Sequence, residues 1–258
     1  MFEKIKCFIL DMDGTIYLGN ELFPFTKDFL KKVEDTGREY YFFTNNSSKS
    51  QQAYIEKLGK LGIQIKKDQM MTSSHVIVKY LKEHYEGKSI YVLGTPSLIQ
   101  EFQYFDMNLT EEDPDIVVLG FDTTLTYEKL SKACHYIRNG CIYFGINPDW
   151  NCPMEGGAFI PDCGSMAKLI EASTGRFPEF FGKPSKHTLD YIIQETGYEP
   201  DEIAIVGDRL YTDIAVADQS DVMSILVLSG ESTREDVKTS DVKPNVILED
   251  LSEITKML

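Results

Sequence analysis

The chain has 258 residues, 42% of them hydrophobic, which is enough for one large or two modest globular domains with a real core. Its formal net charge of −15 excludes a sequence-independent hold on nucleic acid or on an anionic membrane, since both would repel it at long range. Any anionic substrate must therefore meet a local positive group or a metal.

The N-terminal run MFEKIKCFILDMDG turns to charge too early for a secretory signal, and no apolar run approaches the roughly 18 residues that span a bilayer, so a cytoplasmic enzyme is expected. Within that run, CFIL reads as a buried strand that drives straight into Asp11 and Asp13. Positions two apart at a strand end face the same side, which brings two like charges together. Either the pair ends the strand in a turn, with Gly14 supplying the bend, or a divalent cation offsets the repulsion; hard oxygen ligands of this kind suit Mg²⁺. A calcium loop of the EF type would want a further Asp or Asn before the glycine and a helix in front, where an apolar strand stands instead.

A short turn and one helix come next, and then EYYFFTNN at 39–46 delivers Thr44, Asn45 and Asn46 to the end of a second apolar run. These residues either cap the helix expected at 50–61 or lend hydroxyl and backbone donors to an anion. Three more strand-like runs follow, SIYVLG, DIVVLGFD and CIYFGIN, alternating with helical patterns that include 127–138 and 165–173. Between the last run and the last helix lies NPDWNCPMEGGAFIPDCGS, residues 147–165. Its NPD start reads as a turn, and Trp150 is of a type that packs in a core.

Lys183, in GKP, stands just before a helix at 185–196; a lone lysine is more often a solvated surface charge. EIAIVGDRLYTD then carries a strand into Asp208, with Asp213 where a helix-start acid would favour the macrodipole. MSILVLSG, an acidic loop, a short strand and a final helix complete the chain. Five cysteines without a C-x-x-C pair suggest neither a disulfide framework nor a zinc knuckle, and the four histidines form no ligand-like cluster.

This alternation predicts an α/β fold with parallel sheet. Ligands of open α/β sheets bind beyond the carboxyl ends of the strands, so Asp11, Asp13, Thr44, Asn45 and Asp208 should converge.

Taken together and in this order, DMDGT (11–15), TNNS (44–47), GKP (182–184) and GDRLYTD (207–213) resemble the haloacid dehalogenase superfamily of phosphatases, in its type IIA capped subfamily. The resemblance implies a Rossmann-like core with a central parallel sheet, built from residues 1–79 and 182–258, and an inserted α/β cap of the C2 type at 80–181. It implies Asp11 as nucleophile and Asp13 as acid/base, with Thr44, Asn45 and Asn46 binding the phosphate and Lys183 neutralising charge. Mg²⁺ would be held by Asp11, Asp208 and the main-chain carbonyl of Asp13, while Asp213 would orient Lys183 or a metal-bound water. In such relatives a loop of the cap selects the leaving group, which makes Asn147, Asp149 and Trp150 candidates for substrate contact.

The expected partner is a small phosphorylated metabolite, with no nucleic acid and no membrane. Phosphotransferases and mutases of the superfamily usually place their cap between the first two motifs, where this chain has no room for one. A binding protein that merely kept the phosphate pocket would not need Asp13.

Overall fold

A computed structural model describes residues 2–154 and 157–258. In chain order its strands are β1 (Cys7–Leu10), β2 (Tyr17–Leu18), β3 (Glu21–Leu22), β4 (Glu39–Thr44), β5 (Met70–Thr72), β6 (Ile90–Leu93), β7 (Ile116–Leu119), β8 (Ile142–Gly145), β9 (Asn151–Pro153), β10 (Phe159–Pro161), β11 (Glu179–Phe180), β12 (Ile203–Gly207), β13 (Met223–Val227) and β14 (Val246–Leu248). The helices are α1 (Thr26–Asp35), α2 (Gln51–Lys60), α3 (Ser73–His84), α4 (Pro96–Tyr104), α5 (Tyr127–Arg138), α6 (Cys163–Thr174), α7 (Lys186–Thr196), α8 (Arg234–Thr239) and α9 (Leu251–Met257).

The chain divides into two compact units. The first comprises Met1–Thr44, Ile55–Met71 and Lys183–Leu258, and the second comprises Asn45–Tyr54 and Thr72–Gly182.

A six-stranded sheet in the order β14-β13-β12-β1-β4-β5 is the frame of the first unit. The strands from β14 to β4 run parallel. Every residue of β1 and β12 is buried, as expected of central parallel strands covered on both faces. Helix α1 buries Thr26, Phe29, Leu30 and Val33, one stripe at helical spacing, and lies beside α9. Helix α7 starts where the Ser185 hydroxyl accepts from the His187 N–H and stops at Gly197, whose φ of 69° suits the left-handed closing position.

The second unit has its own parallel sheet, β11-β8-β7-β6. Its core joins Tyr91, Leu93, Val117, Leu119 and Phe121 from the sheet side to Ile137 of α5 and Ile170 of α6. Helix α3 belongs here because Tyr80 packs on Phe181 and Phe144, at centroid distances of 4.7 and 6.0 Å. The compact unit takes in the chain from Thr72 onward on that side, and the segment 45–54 also groups with it.

Two short hairpins lie outside the expected elements: β2–β3, between the first aspartates and α1, and β9–β10, within 147–165. Residues 155 and 156 of that second stretch lie outside the described residues. Helix α6 begins at Cys163, ahead of the expected 165, because the Asp162 carboxylate caps it. No helix among the described residues is long and apolar enough to cross a membrane.

Candidate active site

From β1 the chain moves to β4 on one side, whereas β12 lies on the other side of β1. The strand order thus reverses between β1 and β12, and the carboxyl ends of these two strands flank a crevice. Asp11 follows β1, Asp208 follows β12 and Thr44 ends β4. The Asp11 N–H donates to the Val206 carbonyl at 2.9 Å, which extends the β1–β12 pairing to the first aspartate. Met12 is buried in the core while Asp11 and Asp13 are only partly covered, as the alternation of an extended chain requires. The turn then closes through Gly14, at φ 88°, whose N–H donates to the Tyr17 carbonyl at 2.8 Å.

Lys183 is buried at the centre of this arrangement. Its Nζ donates to Asp11 Oδ1 at 2.6 Å, to Asp213 Oδ1 at 2.6 Å and to the Phe43 carbonyl at 3.5 Å. Burial alone would lower the lysine pKa, but the two carboxylates outweigh it and raise it, so the ammonium stays charged.

Asp213 sits in a single π-helical turn, Leu210–Ile214, and its Oδ2 accepts the Arg209 N–H at 3.0 Å. Gly207 is small of necessity, since a Cβ there would lie 2.5 Å from Asp213 Oδ2 and closer still to its Cγ. Asp208 accepts the Glu231 N–H on Oδ2 at 2.7 Å, while its Oδ1 is buried with no hydrogen-bond partner.

The carboxylates of Asp11, Asp208 and Asp213 each bring an oxygen within 4.8 Å of the others. Burial first, and then the Asp213 charge, push the Asp11 carboxyl up to about 7 against the pull of Lys183. The same burial, with Asp213 and Asp11 beside it, raises Asp208 well above the ordinary carboxylate range. Three carboxylates around one ammonium leave negative charge in excess, and Asp208 Oδ1 is a hard donor without a partner. A divalent cation fits this donor set. The Asp13 side chain is not one of the three; the resemblance assigns the metal only its main-chain carbonyl. Asp213 Oδ1 accepts from Lys183 Nζ and its Oδ2 accepts the Arg209 N–H.

The remaining predicted residues lie in the second unit. Asn45 Nδ2 donates to Asp149 Oδ1 at 3.3 Å, and Asn46 Oδ1 accepts the Ser48 N–H at 3.0 Å in a local turn. Asn147 is fully buried. Its Oδ1 accepts from Ser47 Oγ at 2.9 Å, and its Nδ2 donates to Asp149 Oδ2 at 3.2 Å and Asp162 Oδ1 at 2.9 Å. Asn147 and Asp149 therefore hold the start of the 147–165 stretch in place from within. Trp150 is 49% exposed, so a tryptophan sunk in the core of this unit is not what the fold contains.

Sequence reasoning missed Phe43, Arg209, Gly230 and Glu231. Gly230 approaches Asp208 closely, and the Arg209 Nε lies 3.0 Å from Glu231 Oε2. The single usable signal was the SG pair after an apolar run, a mark of a tight turn beyond a strand.

A haloacid dehalogenase-like hydrolase family model matches residues 8–108, and a HAD-hydrolase-like model matches 180–254. An acid sugar phosphatase of Staphylococcus aureus (strain MRSA252) is 33% identical over 252 residues, covering 97% of each chain. Among solved structures, a 4-nitrophenylphosphatase from Thermotoga maritima superposes with a TM-score of 0.95 at 42% identity, over 99% of this chain and 98% of that one. NagD from E. coli K-12 does so with a TM-score of 0.88 at 30% identity, over 96% and 98%.

Proposed function

The chain belongs to the haloacid dehalogenase-like hydrolases and is a phosphatase, and from that premise we propose that it hydrolyses small phosphorylated metabolites, such as sugar phosphates and nucleotides, through an aspartyl-phosphate intermediate. The first unit is the catalytic core and the second the cap. The observation that carries this reading is Lys183, buried between Asp11 and Asp213, with the unpartnered oxygen of Asp208 nearby.

Asp11 attacks phosphorus. An Asp11 O–P bond forms as the bond to the leaving oxygen breaks, and Asp13 gives that oxygen its proton. Water then forms a new O–P bond, the bond to Asp11 breaks, and Asp13 takes the proton from the water. The ester leaves as an alcohol and inorganic phosphate. Splitting one slow displacement into two easier ones is the advantage of the covalent route.

Lys183 lowers the cost of charge on the transferred group and favours the ionised nucleophile. Asp213 and the Phe43 carbonyl keep its ammonium aimed at Asp11. Thr44 and the N–H groups that follow it in the chain hold phosphoryl oxygens. Mg²⁺, held by Asp11, Asp208 and the Asp13 carbonyl, would supply positive charge to the phosphoryl oxygens. Trp150 offers exposed surface for a leaving group, and Asn147 and Asp149 set the shape of the loop that bears it. The free cysteines suit a reducing cytoplasm.

Turnover of p-nitrophenyl phosphate with Mg²⁺ tests the proposal. Asp11→Asn keeps the shape and removes the nucleophilic anion, so it should abolish turnover while circular dichroism stays unchanged. A folded variant that retained most of the wild-type rate would overturn the assignment.

A further inference from the structure

The candidate metal carboxylate Asp208 is gripped by a loop from the neighbouring strand. Residues 228–232 follow β13, and within them the Glu231 N–H donates to Asp208 Oδ2 at 2.7 Å while the Ser232 N–H donates to the Asp208 main-chain carbonyl at 3.0 Å. The Ser232 hydroxyl accepts the Leu210 N–H at 3.2 Å, which ties the loop to the turn after β12. Ser229 Oγ donates to the Gly14 carbonyl at 2.7 Å, which ties it to the turn after β1.

Between these anchors the backbone of Gly230 runs against the carboxylate itself. A Cβ at 230 would lie 2.5 Å from Asp208 Cγ and closer still to Oδ2. Gly14 approaches from another side, where a Cβ would lie 2.7 Å from the same Cγ. No side chain fits at 230 unless Asp208 moves. One carboxylate oxygen is thereby fixed, and the other is left buried without a partner.

We propose that the 229–232 loop is the positioning element of the metal site. Gly230 provides the room, the Glu231 N–H locks one oxygen, and Ser229 fixes the loop to the first turn, so that Asp208 Oδ1 is presented to the cation. Gly230 and Ser229 are positioning residues that act through Asp208 and touch neither metal nor substrate. The inference rests on the Mg²⁺ reading given above.

Isothermal titration of the full chain with MgCl₂ alone tests it. Gly230→Ala should fold, as judged by circular dichroism, yet bind Mg²⁺ about 10- to 100-fold more weakly than wild type. Ser229→Ala should also weaken binding, and Ser229→Thr, which keeps the hydroxyl, should restore it. A general packing defect would not follow the hydroxyl in this way. A folded Gly230→Ala with wild-type affinity overturns the proposal. If that variant does not fold, the serine pair decides: loss reversed by threonine supports the proposal, and unchanged binding in Ser229→Ala overturns it. A wild-type protein that takes up no Mg²⁺ would refute the metal reading itself, and the inference with it.

Discussion

Lys183→Met removes a charge and keeps most of the volume, so it isolates what the buried ammonium does. At a contact distance of 2.6 Å to each carboxylate, the gross attraction is about 6 kcal/mol per pair at an effective dielectric of about 20. Desolvation of the three groups offsets much of that. The cost that remains is that of stranding Asp11 and Asp213 beside one another without a cation, about 3–5 kcal/mol for a broken buried pair. For a chain of this size that corresponds to a fall in Tm of about 6–20 °C in metal-free buffer. The loss should depend on pH in a definite direction. Without the ammonium, the folded-state pKa of Asp11 rises further above 7, so the variant binds protons more tightly folded than unfolded. Its deficit should be small near pH 5 and grow as pH rises towards 8. Turnover should fall about 100- to 1,000-fold, as on loss of one preorganised donor to a developing charge. Differential scanning calorimetry at the two pH values and p-nitrophenyl phosphate kinetics measure both effects. A variant within about 2 °C of wild type at pH 8 would refute the electrostatic argument.

The metal-free wild type should itself lose stability as pH rises from about 4 through 7, because Asp11 titrates from 3.8 in the unfolded chain to about 7 in the folded one. The Tm increase on adding Mg²⁺ should therefore be larger at pH 8 than at pH 5.5, and equal increments would contradict the assignment. Asn147→Ala leaves Ser47, Asp149 and Asp162 each short of a partner in a buried setting and should cost about 2–3 kcal/mol in urea unfolding, whereas a cost under about 0.5 kcal/mol would show that the network is idle. Trp150→Ala should change relative kcat/KM between esters with large leaving groups by about 10- to 200-fold while sparing p-nitrophenyl phosphate. A uniform fall across all esters would count against its role in selection.

The elements that frame the catalytic unit were legible because central parallel strands must be apolar on both faces, so CFIL, EYYFFT and IAIVG announce themselves without any partner in view. The aspartates after them were legible because charge directly beyond such a run is unusual. By contrast, β2–β3 and β9–β10 have strands of two and three residues, too short for a period to register. Helix α3 carries a weaker local signal, because the β-branched residues of HVIV suit a strand as well as a helix and its helical state is settled by packing. The loop around Asp208 left only the SG pair as a local trace, since the need for glycine at 230 arises from a carboxylate 22 positions earlier in the chain that comes near only in the folded state.

The ion pair between Lys183 and Asp11 joins residues 172 positions apart. On a chain made from its N-terminus, β1 and β4 are complete long before β12 exists, and the strand that lies between them and β13 arrives only after the whole second unit has been made. The second unit has a sheet and core of its own and can collapse while the ribosome is still at work. The catalytic sheet cannot, because its central strand β1 waits with one edge open for β12. Until then that apolar edge stays open to wrong partners, a hazard that the stability of the finished fold does nothing to lessen.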